Sequence, residues 1–80
     1  MRLDKYLKIS RIIKRRTIAN EACDQGRVSL NGKAARASAE VKAGDKLEIQ
    51  FGNKVFKAEI LNVAENVRKE EAALMYRITE

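Results

Sequence analysis

The sequence predicts an α+β fold in a single domain over residues 1–80, because the spacing of its apolar residues changes once along the chain. Before Gly26, apolar residues recur at the three- and four-residue spacing of helices, and after it they alternate with polar residues as in half-buried strands. Eighty residues suffice for one domain with a modest core. We therefore expect two short helices followed by a small sheet.

Two helices are expected before Gly26. Leu3 and Leu7 stand four residues apart with Tyr6 beside them, which predicts a short amphipathic helix. A second helix is predicted from about residue 15 or 17 to about residue 25, and Gly26 is expected to end it with a left-handed cap. The residues expected on its inward side are Ile18, Ala19, Ala22 and Cys23.

Strands and turns are predicted after Gly26. Residues 27–30 alternate in polarity, and Asn31-Gly32 predicts a tight reversal, since both residues accept positive φ. Residues 46–51 and 54–61, separated by Gly52-Asn53, predict a two-stranded hairpin. Residues 68–74 are expected to form a helical turn before a last short strand over 75–78.

The composition argues against membrane proteins, secreted proteins and enzymes. No apolar run approaches the length of a membrane span, and residues 1–5 carry a charge at every second position, so we expect a cytoplasmic protein. Cys23 has no partner cysteine and histidine is absent, which removes an internal disulfide and the commonest metal ligand and general base. We predict no catalytic residue, metal site or cofactor, and expect Cys23 to be a small buried apolar residue.

Positive charge is concentrated in the first half of the chain. Residues 1–40 contain ten Lys/Arg and four Asp/Glu, whereas residues 41–80 contain seven of each, so the whole net charge of +6 lies in the first half. Residues 1–16 contain seven cationic side chains and one acidic side chain, Asp4. This asymmetry predicts a polyanionic partner.

Three cations stand where the second helix is predicted to begin: Lys14, Arg15 and Arg16. The dipole and free N–H groups of a helix start favour acids, by about 0.3–1 kcal/mol each, and penalise cations similarly. A phosphate would reverse this penalty by accepting hydrogen bonds from the N–H groups and the cations together. The alternative is a solvated charged run, and the further cations upstream favour the phosphate site.

The predicted RNA-binding surface includes residues beyond the helices. Lys33 and Arg36 follow the Asn31-Gly32 turn, and they either extend the cationic surface or accompany a turn whose role is purely structural. The residues that we assign to RNA binding are Arg2, Lys5, Lys8, Arg11, Lys14, Arg15, Arg16, Lys33 and Arg36.

Two other side chains in this half of the chain have structural interpretations. Asp4 is expected to pair with Lys8 one turn on, or to steady the neighbouring arginines, rather than to act as a catalytic acid. Arg27 either reaches RNA or pairs with Asp24, and a surface pair of that kind would be worth little.

Aromatic residues are few and scattered: Tyr6, Phe51, Phe56 and Tyr76. Most are expected in the core, because no pair has the spacing of a base-stacking platform on a strand. Binding is therefore expected to rest on RNA shape and phosphates more than on unstacked bases.

Four motifs in order resemble a known RNA-binding family. They are Arg2-Leu3-Asp4-Lys5-x-Leu7, Arg15-Arg16, Gly26-Arg27-Val28-x-Leu30-Asn31-Gly32 and Val41-x-x-Gly44-Asp45-x-Leu47. Over residues 1–50 the chain is similar to the alpha-L RNA-binding domain, named after ribosomal protein S-four. The resemblance implies two short helices on a small, strongly bent, mainly antiparallel sheet, with RNA held by the helix pair and the adjacent loop. Beyond it, residues 51–80 are expected to add a C-terminal hairpin and short terminal elements. The family's RNA-binding positions would be Arg2, Lys5, Arg11, Lys14, Arg15 and Arg16.

A narrower resemblance joins residues 10–17 and 69–76 to the RqcP proteins, stand-alone members of this family that are related to the small ribosome-associated heat-shock protein. Thr17 departs from the acidic residue that many alpha-L domains carry after the arginine pair, which leaves the helix cap less defined. The resemblance implies binding to obstructed large ribosomal subunits through ribosomal RNA and peptidyl-tRNA. It further implies a partner, RqcH, and a role in C-terminal alanine tailing of stalled nascent chains. We expect the free protein to be a monomer.

Two other functions compete with this one. The same domain is often attached to RNA-modifying enzymes, but this chain has no second domain to hold a cofactor or a catalytic Asp, and no Gly-rich loop. A heat-shock-type factor or RNA chaperone for free large subunits, without a tailing role, fits the same charges.

Overall fold

The structure is a computed structural model that describes residues 1–79. Within these residues, two N-terminal helices precede a five-stranded sheet, which confirms the predicted α+β class. In chain order the elements are α1 (Leu3–Ile9), α2 (Arg16–Asp24), β1 (Val28–Leu30), β2 (Lys33–Ala34), β3 (Lys46–Phe51), β4 (Lys54–Ile60), a 3-10 helix (Lys69–Met75) and β5 (Tyr76–Ile78).

The sheet has the strand order β2-β1-β3-β4-β5, and all neighbouring strands are antiparallel. The predicted hairpin of β3 and β4 forms its centre, with register from Lys46 opposite Glu59 to Phe51 opposite Lys54. Asn31 (φ 53°) and Gly32 (φ 85°) reverse the chain between β1 and β2. Two consecutive positive φ values are those of a type I′ turn, a common two-residue hairpin connection, so the predicted turn is confirmed.

The core lies between the helices and one face of the sheet. From α1, Leu3, Tyr6 and Leu7 are fully buried, and they belong to one cluster with Leu47 and Ile49 of β3. Burial of such side chains contributes about 1.5–3 kcal/mol each relative to exposure. The periodicity of α1 therefore predicted its inward face correctly.

The inward face of α2 is narrower than expected. Ala19 and Cys23 are buried, as predicted, and Ala22 is half-buried, but Ile18 is 49% exposed, so its predicted inward placement is wrong. Ala19 and Cys23 stand four apart and so share one face of α2, which is its buried face. Gly26 follows with φ 74°, which confirms the predicted left-handed end.

The start of α1 is tied to the segment 37–41. The N–H of Leu3 donates to the carbonyl of Ala39 (2.8 Å), and the N–H of Asp4 donates to the carbonyl of Ala37 (3.1 Å). The backbones of Arg2 and Glu40 form an isolated antiparallel β-bridge. This tie brings the residues after β2 to the first turn of α1.

The predicted helical turn and last strand are both present, as the 3-10 helix and β5. The Tyr6 hydroxyl donates to the carbonyl of Met75 at 2.8 Å, which joins α1 to the end of the 3-10 helix. No helix within residues 1–79 has both the length and the apolar content needed to span a bilayer.

The aromatic residues divide between core and surface. Most of the four were expected in the core: Tyr6 is buried, whereas Phe51 is 45% exposed and lies outside the core. Phe56 contacts Phe51 and Tyr76 edge-to-face, with ring centroids 6.4 Å and 5.9 Å apart. Phe51 is exposed because it stands at the hairpin end of β3, where the antiparallel pair ends.

Candidate nucleic-acid interface

The predicted RNA-binding side chains are accessible in the folded protein. Lys5 is half-buried and the other eight are exposed. Within residues 1–79, six of the nine have no ion-pair partner. These six are Lys8, Arg11, Lys14, Arg15, Lys33 and Arg36. Their charges are therefore available to an external anion.

The start of α2 combines cations with free backbone donors. Arg15 is the N-cap in extended conformation without a side-chain cap hydrogen bond, Arg16 is the first helical residue, and the first turn contains no acid. The first N–H groups of any helix lack intrahelical acceptors. The predicted placement of the cations at the helix start is thus confirmed, and an anion there would satisfy both the cations and the N–H groups.

A buried carboxylate links the two helices. Asp4 of α1 is only 2% exposed, and it accepts from Arg2 Nε at 3.1 Å and Arg2 Nη2 at 3.3 Å. Arg16 Nε lies 3.3 Å from Asp4 Oδ2, and Asn20 Nδ2 donates to the same oxygen at 3.3 Å. We call Arg2, Asp4, Arg16 and Asn20 the Asp4 cluster. It confirms that Asp4 steadies neighbouring arginines, and within the described residues Asp4 does not pair with Lys8.

The charge of Asp4 is fixed by its neighbours. Burial alone raises the pKa of this carboxyl, but hydrogen bonds from Arg2, Arg16, Asn20 and the Lys5 N–H outweigh it and lower the pKa from 3.8 to about 2. Asp4 is therefore a permanent anion near neutral pH. Arg2 and Arg16 keep side chains that are 49% and 45% exposed, so each guanidinium has N–H groups left for an outer acceptor.

The contact between Asp4 and Arg16 corrects one expectation about the start of α2. From sequence, all three cations there are expected to be uncompensated. The fold brings Asp4 from α1 against Arg16, which offsets one of them. Lys14 and Arg15 have no ion pair within the described residues, so the unfavourable charge at the helix start comes from two residues.

Two adjoining depressions surround the Asp4 cluster. Arg2 and Arg36 line one of about 470 Å³, and Asp4 and Arg16 line one of about 450 Å³, with Asn20 in the wall of both. Arg36 thus lies beside the helix pair, because the segment 37–41 is tied to α1. Lys33 lies on β2 and lines neither depression.

A third depression, of about 300 Å³, lies on α1 and the loop that follows it. Its cationic lining consists of Lys8, Arg11 and Lys14, and we call it the Arg11 depression. Ile9, Val67 and the carboxylate of Glu65 complete the lining, and Glu65 Oε1 accepts from Lys5 Nζ at 2.6 Å. It shares no lining residue with the other two depressions.

Two members of these clusters were missed from sequence. Asn20 stands four residues after Arg16 on a helix, so its proximity to that arginine could have been predicted from the helical spacing. Glu65 is 60 residues from Lys5, and no local pattern indicates their contact.

Arg27 forms no ion pair with Asp24 within residues 1–79, which removes the interpretation of Arg27 as a structural partner of Asp24.

Cys23 is a buried free thiol, as predicted. Burial, together with the nearby carboxylates of Asp4 and Asp24, raises its pKa to about 11. The thiol is therefore neutral near pH 7 and packs as a small apolar group.

Comparison with known proteins assigns the family. The S4 domain matches residues 1–47, which cover more than half of the chain. The chain belongs to the S4-domain family. The predicted resemblance to the alpha-L domain, which is the S4 domain, is confirmed, and so is the narrower resemblance to RqcP.

Two S4-domain relatives match nearly the whole chain. An RQC P-site tRNA stabilizing factor of Halalkalibacterium halodurans is 58% identical over 78 residues, which cover 98% of this chain and 89% of the relative. A Bacillus subtilis protein of the same name is 54% identical over 78 residues, with coverages of 98% and 91%. The name of both relatives describes a tRNA-stabilizing factor.

A solved structure shares the whole fold. Heat Shock Protein 15 of Vibrio cholerae, described as trimeric, superimposes with a TM-score of 0.90 at 31% identity, and the match covers 99% of this chain and 81% of that chain. The two helices and the sheet of this S4-domain protein are thus arranged as in that protein.

Proposed function

We propose that this protein binds ribosomal RNA of the large subunit and a P-site tRNA in ribosome-associated quality control. The observation that carries the proposal is the 58% and 54% identity to RQC P-site tRNA stabilizing factors over 78 residues. The exposed, unpaired cations on the helix pair support it, because phosphates dominate the affinity of RNA-binding proteins.

In this proposal the whole chain acts as one RNA-binding domain. The Asp4 cluster, Arg15 and the Arg11 depression hold RNA backbone, and Lys5 and Arg36 extend this face. Lys33 is a separate contact at the β1–β2 turn. Asp4 holds two arginines in fixed orientation, which reduces the conformational entropy lost when they bind phosphate.

The proposed target is a cytoplasmic large subunit that is still obstructed by peptidyl-tRNA. The protein binds there as a monomer, through ribosomal RNA and the tRNA together, and assists RqcH in adding C-terminal alanine tails to stalled nascent chains. Stabilising the tRNA would keep the nascent chain in position for each addition.

Co-sedimentation with purified large subunits tests the proposal. The protein is expected to sediment with subunits that carry peptidyl-tRNA and to bind less to the same subunits after puromycin has taken the nascent chain from the tRNA and the deacylated tRNA has been removed. Adding RqcH and charged alanyl-tRNA is expected to give longer alanine tails with the protein than without it. Equal binding to both kinds of subunit would contradict the role of tRNA.

The fold match to Heat Shock Protein 15 favours one second candidate, a heat-shock-type factor or RNA chaperone for free large subunits without a tailing role. The same sedimentation separates the two. The second candidate predicts undiminished binding after tRNA release and alanine tails of unchanged length.

A further inference from the structure

Arg11 is held in a backbone conformation that few non-glycine residues adopt. Its φ is +63°, in the left-handed region that L side chains avoid. It follows Ser10, the C-cap of α1, and its N–H donates to the carbonyl of Lys8 at 3.0 Å. Glycine is the usual residue at such a helix end, so an arginine there points to a role for its side chain.

The Arg11 side chain is exposed and contributes to a concave cationic site. Lys8 and Lys14 line the Arg11 depression with it, and none of the three has an ion-pair partner within residues 1–79. A concave arrangement of unpaired cations is suited to the phosphates of a nucleic acid, because binding releases the counterions that screen both partners.

Glu65 is the one acid among the described residues that line this depression. The hydrogen bond from Lys5, with the charge of its ammonium, lowers the pKa of Glu65, so its carboxylate is ionised near neutral pH. The Glu65 side chain is 66% exposed. A pair this exposed is held weakly and separates readily in water.

We infer that the Arg11 depression binds an RNA phosphate and that Glu65 occupies the place of that phosphate until RNA displaces it. The inference rests on the proposed function, since it specifies how one part of the same face works. Displacement frees Lys5, which then joins the cations around the incoming backbone. The final set is Lys5, Lys8, Arg11 and Lys14.

This competition lowers the affinity of every RNA that enters the Arg11 depression. Displacing Glu65 costs a short RNA and an extended RNA the same free energy, so the ratio of their affinities does not change. An RNA that also contacts the Asp4 cluster gains bonds elsewhere. It therefore stays bound at concentrations at which a short RNA is largely free.

Two charge-matched variants test the role of Glu65. We would measure the affinity of a fluorescently labelled RNA hairpin, and of large subunits carrying peptidyl-tRNA, for the wild type, Glu65→Gln and Glu70→Gln. Glu70 is an exposed acid of the same C-terminal part and has no ion pair within residues 1–79. Glu65→Gln is expected to bind the hairpin about threefold to tenfold tighter, with a log–log salt slope steeper by about one, because Lys5 becomes available.

The Glu70→Gln control separates the effect of the Lys5–Glu65 pair from the effect of net charge. Glu70→Gln is expected to stay within about twofold of the wild type, the size of a change in net charge alone under salt screening. An equal gain in both variants would overturn the inference, since only net charge would matter. An unchanged affinity of Glu65→Gln would also overturn it, because the Lys5 pair would then only tie residue 65 to α1.

Arg11→Gly separates binding from folding. Glycine adopts φ +63° without steric conflict, so the melting temperature is not expected to fall, whereas affinity for both RNA probes is expected to drop at least about fivefold. Wild-type affinity in Arg11→Gly would refute the phosphate site. If the wild type itself binds neither probe, the proposed function fails; if it binds and both variants behave like it, this inference alone fails.

Discussion

Replacing Asp4 with asparagine tests whether the buried carboxylate stabilises the helix pair. The Asp4→Asn substitution keeps the size of the side chain but removes the charge that faces Arg2 and Arg16. The fall of the Asp4 pKa from 3.8 to about 2 corresponds to about 2 kcal/mol, at about 1.4 kcal/mol per pKa unit. The two arginines are about half exposed, so solvent screening brings the expected contribution to about 1–2 kcal/mol.

The sign of the pH dependence follows from the direction of the shift. Because folding lowers the pKa of Asp4, the unfolded chain binds more protons than the folded chain between about pH 4 and pH 2. The stabilisation is fully present above about pH 5 and is lost as the pH falls through the folded pKa of about 2. The free energy of unfolding of the wild type should exceed that of Asp4→Asn near neutral pH, and the gap should close near pH 2.

Urea unfolding at a series of pH values measures this gap. Asp24→Asn is the matched control, because Asp24 is an exposed acid of α2 without an ion pair within residues 1–79. It should show no comparable gap at any pH. A neutral-pH difference below about 0.5 kcal/mol for Asp4→Asn, the usual size for surface substitutions, would refute the reasoning. So would a difference that persists undiminished at the acidic end.

Three further predictions concern the binding face and the core. Arg15→Ala should weaken binding to large subunits at least about fivefold, about 1 kcal/mol, without lowering the melting temperature, because a charged hydrogen bond to phosphate is lost. Lys54→Ala is the control, since it removes the same charge at the β3–β4 hairpin. An equal loss of binding by Lys54→Ala in co-sedimentation would argue for a purely non-specific charge effect. Affinity for subunits should fall with a log–log salt slope of about −3 to −5 if about five phosphates are contacted, and a flat titration would indicate a different surface. Cys23 should react slowly with iodoacetamide near neutral pH, since burial raises its pKa to about 11, and labelling at the rate of a free thiol would contradict its placement.

The elements of the fold could be predicted from the sequence because each depends on local chemistry. Asn31 and Gly32 tolerate the positive φ values that their turn requires, and Gly26 tolerates the left-handed end of α2. The spacing of Leu3 and Leu7 defines one face of α1 regardless of what covers it. Such features need no knowledge of distant residues, so sequence alone located them.

The errors arise where distant residues decide the outcome. Ile18 was expected inside because it is apolar at helical spacing, but the buried face of α2 is formed by Ala19 and Cys23, and Ile18 is 49% exposed. Most of the aromatic residues were expected in the core because no pair has the spacing of a base-stacking platform, yet Phe51 stands at the hairpin end of β3 with 45% of its surface exposed. Hydrophobicity predicts a preference for burial, whereas the area available to cover a residue is a tertiary property.

The candidate site shows the same division between features set by local sequence and features set by distant residues. Lys14, Arg15 and Arg16 were placed at the start of α2 from sequence, because a helix start is a local event. The proximity of Arg36 to Arg2 depends on the hydrogen bonds that tie residues 37–41 to α1, and the pairing of Lys5 with Glu65 joins residues 60 apart. Charge composition therefore indicated a polyanionic partner, but only the fold groups the cations into separate clusters.

The two acids on this face differ in what an incoming phosphate can do to them. Asp4 is 2% exposed and held by several donors, so a phosphate that took its arginines away would leave a buried carboxylate with lost partners, at a cost of several kcal/mol. Glu65 is 66% exposed and its ion-pair partner within residues 1–79 is Lys5, a contact that water can replace. Phosphate should therefore bind to the outer N–H groups of Arg2 and Arg16 with Asp4 still in place, but replace Glu65 at Lys5. An acidic side chain thus acts as a fixed support where it is buried and as a displaceable competitor where it is exposed.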